Sequence, residues 1–85
     1  MKNPTHTRTH DLFYAAYLLS QGARLMATHV ALDGSKRVAF EFQSQRMREL
    51  NEDYLSGDAM VNLRTLKSSL HHLKDLIFKE TKHSY

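Results

Sequence analysis

Cysteine is absent from this 85-residue chain, proline occurs once, and the longest apolar run is eight residues, Leu12 to Leu19. Without cysteine there are no disulfides, no thiolate nucleophile and no cysteine-ligated zinc, so a hydrophobic core is the one staple available. Either redox compartment is compatible with that. The apolar run falls far short of the ~20 residues that span a bilayer, and the opening "MKNPTHTRTH" lacks the apolar centre of a signal peptide. Both observations point to a cytoplasmic protein with no membrane partner. The three glycines, Gly22, Gly34 and Gly57, stand alone, whereas a phosphate-cradling loop needs them clustered. Nothing supports nucleotide binding or any other cofactor.

What remains is ordinary for a soluble domain: 41% apolar residues and 25% charged ones, a balance that disfavours disorder along the whole chain. A chain of this length makes one domain and buries only about 60 to 65% of its unfolded surface, too little for a large enzyme cleft. Twelve Lys and Arg against nine Asp and Glu leave a net charge of +3. That excess tolerates nucleic acid or an acidic protein as partner without demanding either.

Residues 1 to 9 hold Pro4, three threonines and no apolar periodicity, and are expected to form a mobile arm. A first helix is expected over about 11 to 20, capped by Thr9 or Asp11 and stopped by Gly22. Its apolar residues go all round: Leu12, Ala15, Ala16 and Leu19 on one face, Phe13 and Tyr17 on a second, Tyr14 and Leu18 on a third. Such a helix is buried on every side, in a core or against a partner. "ARLMATHVAL" and "KRVAFEFQ" then read as two antiparallel strands over 23 to 31 and 36 to 43, joined at Asp33-Gly34. Val38, Phe40 and Phe42 alternate strictly. In the first strand either Leu25, Ala27 and His29 or Met26, Thr28 and Val30 form the inward set, with Leu25 and Ala27 inward preferred. A second helix near 45 to 55 begins at Ser44 and ends at Gly57. The last, near 62 to 79, is capped by Asn62 and carries Leu63, Leu66, Leu70, Leu73 and Ile77 on a narrow stripe. Helix, hairpin, helix and helix make a small α+β domain over residues 10 to 80, with 81 to 85 frayed.

Asp11, Phe13, Ala15, Ala16, Tyr17, Leu18 and Gly22, the strand "VAFEF", "DYLSG" at 53 to 57, and then "VNLRTL" and "LKDLI" follow one another in a recognisable order. The pattern resembles a family of small bacterial and phage or mobile-element proteins known as a domain of unknown function, and covers roughly residues 9 to 78. The resemblance implies a phage or mobile-element context and brings no catalytic residues. The longer turn "HVALDGSK" departs from the family pattern.

His6 and His10 are four apart, a metal-binding spacing only on a helix, which Pro4 and the threonines disfavour. His71 and His72 diverge by about 100° on a helix and cannot share an ion. His29 and His83 have no partner in the sequence. Ser68, Ser69, His72 and Asp75 sit within two turns, yet no strained nucleophile turn or oxyanion pocket accompanies them. Glu49, Glu52 and Asp53 read as a solvated acidic face, and Tyr14 and Tyr17 as buried aromatics ahead of a base-stacking platform.

One surface stands out. Arg64, Lys67, His71 and Lys74 fall within an arc of about 80° on the last helix with no acid between them. Arg24, Lys36 and Arg37 add charge in the hairpin. The expectation is a non-catalytic accessory protein that binds a macromolecule through these residues, a protein ahead of nucleic acid, with no small-molecule substrate. The alternative is a homodimeric module joined through Tyr14, Leu18, Phe13 and Tyr17 of the first helix.

Overall fold

A computed structural model describes residues 5–31 and 37–82. Six elements follow in the order β1 (His6–Thr9), α1 (Leu12–Ser20), β2 (Arg24–Val30), β3 (Val38–Gln43), α2 (Met47–Ser56) and α3 (Leu63–Lys82). The fold is α+β, with the expected helix, hairpin, helix and helix preceded by one more strand. The sheet is antiparallel throughout, in the order β1-β3-β2.

His6–Thr9 is therefore not an arm outside the domain. It pairs with β3 in the register His6 to Gln43, Thr7 to Phe42, Arg8 to Glu41 and Thr9 to Phe40, and Ser44 N–H donates to the Thr5 carbonyl at 2.8 Å to extend the contact. Directly opposed residues share a face, so Thr7 and Thr9 lie beside the buried rings of Phe42 and Phe40 while His6 and Arg8 face water. Threonine suits a pleated edge because it is β-branched. Its hydroxyl hides it from a search for apolar alternation. At the other end α3 runs on to Lys82, past the expected fraying point.

In β2 both candidate inward sets are used, each for part of the strand. Leu25 pairs with Phe42, a bulge follows at Met26, and the ladder resumes with Ala27 opposite Glu41, Thr28 opposite Phe40 and Val30 opposite Val38. One extra residue reverses the alternation. Leu25 and Val30 both pack on the core, and Ala27 turns to the open face, against the preferred assignment. Ala31 N–H donates to the Arg37 carbonyl at 2.8 Å and brings the strands together before the turn. Asp33-Gly34 and Lys36 lie outside the described residues.

The helix ends follow local chemistry. Asp11 Oδ1 accepts the amides of Phe13 at 3.0 Å and Tyr14 at 3.2 Å. At the other end of α1, Gly22 at φ 87° lets its own N–H reach the Leu19 carbonyl and that of Ala23 reach the Leu18 carbonyl, which closes the last turn. Gly57, at φ 85°, ends α2 in the same left-handed conformation. Ser44 does not cap α2 as expected. Its Oγ accepts Arg46 N–H at 3.0 Å and its carbonyl accepts Met47 N–H at 3.2 Å, so it shapes the turn before the helix.

The core draws on α1, β3, α2 and α3 together: Ala15, Ala16 and Leu18, then Phe40 and Phe42, then Met47 and Leu50, then Leu73. All the helices contribute to the face of the sheet that carries Phe40 and Phe42, and the molecule is 19 Å across its thinnest dimension. That is one sheet and one layer of helices. The opposite face carries His6, Arg8, Arg24, His29 and Glu41, exposed or half-buried, with Ala39 buried between them, and among the described residues it contributes nothing to the main core cluster. Among the described residues no helix is long and apolar enough to cross a membrane.

Candidate binding face on the last helix

Asn62 starts α3 by accepting the Thr65 amide at 3.1 Å on its Oδ1. The helix then runs for 20 residues, about 30 Å at the usual rise. Its inner line consists of Leu73, fully buried, with Ser69 buried and Leu66, Leu76 and Ile77 half-buried. This line is turned from the leucine stripe read in the sequence. Leu63 is 79% exposed and Leu70 only half-buried. Ser69 takes the expected place of a leucine because α3 packs chiefly on α1, and the small residues buried on the two helices, Ala15, Ala16 and Ser69, let their axes approach. The N-terminal turn of α3 reaches past that contact into solvent.

Taking Leu73 as the inward direction, Lys74, Lys67, Phe78, His71 and Arg64 fall between about 100° and 180° around the axis. All five are exposed. The ion pairs among the described residues are Arg8–Glu41, His29–Glu41, Arg46–Glu49 and Arg48–Glu52, none of them on α3. Arg64, Lys67 and Lys74 thus present charge that no described acid neutralises. Asp75, at about 200°, borders the row; with Lys67, Ser68, His71 and His72 it lines a shallow open hollow. No hydrogen bond joins Ser68, Ser69, His72 and Asp75 among the described residues, and Ser69 is turned to the core.

The hairpin cations do not extend this row as one cluster. Arg24 opens β2 opposite Gln43, the last residue of β3, whereas Arg37 precedes the first, so the two are separated by about 17 to 20 Å of strand. Both are exposed; Lys36 lies outside the described residues.

The expected interface on α1 is overturned by burial. Tyr14 is 8% exposed, Tyr17 4% and Leu18 0%, and they are covered from within the same chain. Tyr54 of α2 lies with its ring 4.6 Å from that of Tyr14 and 5.5 Å from that of Tyr17, and Tyr14 Oη donates to Asn51 Oδ1 at 3.0 Å. Burial raises the pKa of all three tyrosines. Of the four residues only Phe13, 60% exposed, offers surface. The surplus of apolar circumference read in the sequence is taken up chiefly by α3, with Tyr54 and Asn51 of α2 covering the tyrosine side.

A second polar cluster was not legible beforehand. On the open face of the sheet His29 Nε2 lies 2.9 Å from Glu41 Oε1, and Arg8 donates to the same carboxylate at 3.5 Å and lies 3.1 Å from His29 Nε2. A protonated Nε2 donates to Glu41, and an unprotonated one accepts from Arg8; the nitrogen cannot do both. The His29 hydrogen bond, then that of Arg8, holds the Glu41 carboxyl below its usual range. No spacing in the sequence announces this cluster, because its three members come from three strands. His6 belongs to β1, so its four-residue spacing from His10 places no helical metal pair, and no group of three metal-ligating side chains occurs among the described residues.

Comparison with family models, curated proteins and solved structures gave no match.

Proposed function

We propose that the chain is a small non-catalytic accessory module that binds an anionic macromolecular partner through the outer face of α3, in the phage or mobile-element setting that its residue pattern implies. The observation that supports this is the row of Arg64, Lys67 and Lys74 with His71 among them, exposed and without an acidic partner among the described residues. Elsewhere Arg8 and His29 pair with Glu41, Arg46 with Glu49 and Arg48 with Glu52, while Arg24 and Lys79, exposed and in none of these pairs, stand apart from the row. Three like charges left together add repulsion that a bound anion relieves.

The experiment is retention on immobilised polyglutamate and on heparin as salt is raised. Native protein is retained on at least one of the two and elutes only as salt screens its charges. The triple variant Arg64→Gln, Lys67→Gln, Lys74→Gln elutes early on both with its thermal midpoint unchanged, because exposed charges contribute little to folding. Equal retention of native and variant protein would show that the face binds nothing.

A further inference from the structure

We infer that the occupant of this face is an acidic amphipathic helix of another protein, an inference that rests on the outer side of α3 being the binding surface. Arg64, Lys67, His71 and Lys74 recur at spacings of three, four and three over about 15 Å of axis. A helix carrying Asp and Glu at the same spacings presents a matching row when it lies alongside. Apolar residues bracket the row. Leu63 at its N-terminal end is 79% exposed, and Phe78, which falls inside the arc at the C-terminal end, is 65% exposed. The two lie about 22 Å apart along the axis, about four turns of helix, so a partner helix of that length reaches both.

That combination selects between occupants. A nucleic-acid backbone uses the cations for its phosphates and gains nothing from the exposed surface of Leu63 and Phe78, since phosphate contacts are polar. Protein interfaces bury aromatic and aliphatic anchors with charged residues around them. A second copy of this chain docking by the same face sets Arg64, Lys67 and Lys74 against their own counterparts, which like-charge repulsion opposes. The remaining surfaces carry weaker cases: the open sheet face satisfies Arg8, His29 and Glu41 among themselves, and the arginines of α2 are engaged by its glutamates.

The test titrates full-length protein into three labelled probes and follows fluorescence anisotropy. The first is a synthetic helical peptide of about 20 residues with leucines on one face and flanking glutamates at three- and four-residue spacing. The second has the same composition shuffled to destroy the amphipathic face, and the third is a duplex DNA of similar length. The amphipathic peptide should bind at least about tenfold more tightly than the shuffled one. Leu63→Ser with Phe78→Ser should weaken it by about fivefold or more while leaving the salt dependence in place. The triple glutamine variant should weaken it and flatten the salt dependence. Equal affinity for the two peptides, or no binding of the first at about 100 micromolar, overturns the inference. So does preferential binding of the duplex with a log-log salt slope near −2.7, about 0.9 for each of three phosphate contacts, indifferent to the Leu63 and Phe78 changes. In those cases the triple variant still loses polyanion retention, and the binding face itself survives. If the triple variant matches native protein on every probe and on both matrices, the binding face falls too.

Discussion

Leu63 and Leu73 belong to one helix and one apolar repeat, yet the first is in water and the second has no exposed surface. Leu73→Ala should therefore cost about 2 to 5 kcal/mol and Leu63→Ala no more than about 0.5 kcal/mol, read as urea midpoints at constant slope. Similar losses at both positions would mean that α3 packs by the stripe read in the sequence. Glu41 supports a second expectation at this scale. Its carboxyl is held below the ordinary value of 4.5, first by the hydrogen bond from His29 and then by that from Arg8. A depressed pKa in the folded state means that the unfolded chain binds the proton more readily, so stability rises with pH through this window. The contribution is fully present above about pH 4.5 and is lost as pH falls through the lower, folded value. Glu41→Gln removes it: native and variant proteins should differ in urea midpoint near neutral pH and converge toward pH 3. A difference unchanged across that range would show that the cluster does not form in solution.

Among the elements, β1 is the most exposed to test because its sequence gives so little sign of it. A chain beginning at His10 leaves the β1 side of β3 unpaired and uncovers the edges of Phe40 and Phe42. The loss should be on the order of 2 to 4 kcal/mol, from a few ladder hydrogen bonds at ~0.5 to 1.5 kcal/mol each together with the uncovered rings. A loose arm would come off at no cost. Amide exchange separates the two directly, through slow exchange on the β3 amides that face β1 in the native chain and its loss in the truncated one. The caps were readable one by one, since Asp11, Gly22 and Asn62 act through bonds spanning two to five positions and Gly57 through its own left-handed φ. Ser44 was misassigned because serine serves a turn as well as a cap, and the choice depends on where the next chain segment has to go. Likewise a bulge is invisible in a strand whose two faces are both mixed. Leu25 and Val30 lie five apart and face the same way only because one extra residue intervenes.

For the molecule as a whole, burial of Tyr14, Tyr17 and Leu18 by α2, α3 and the sheet removes the apolar surface that suggested a dimer through α1. The protein should remain a monomer of 9.9 kDa over a hundredfold dilution in light scattering, about the range in which a micromolar dimer would dissociate. A stable dimer at neutral pH would restore the homodimeric alternative and point to Phe13 or the sheet edges. Glutamine at Arg64, Lys67 and Lys74 takes the net charge from +3 to 0, and lower solubility is expected at unchanged stability. The sequence by itself determined the α+β class, the order of the four main elements, most of their ends and the alternation of β3, because these depend on neighbours within a few residues and on period. It also determined the cation row of α3, since four positions on a regular helix have a fixed angular relation. Only the tertiary structure decided which arc of α3 is buried, that threonines of β1 close the sheet beside Phe40 and Phe42, that Tyr54 covers α1, and that Arg8, His29 and Glu41 meet. Each of these is a choice among partners far apart in the chain, made by packing and by strand register, and the local sequence is nearly indifferent to it.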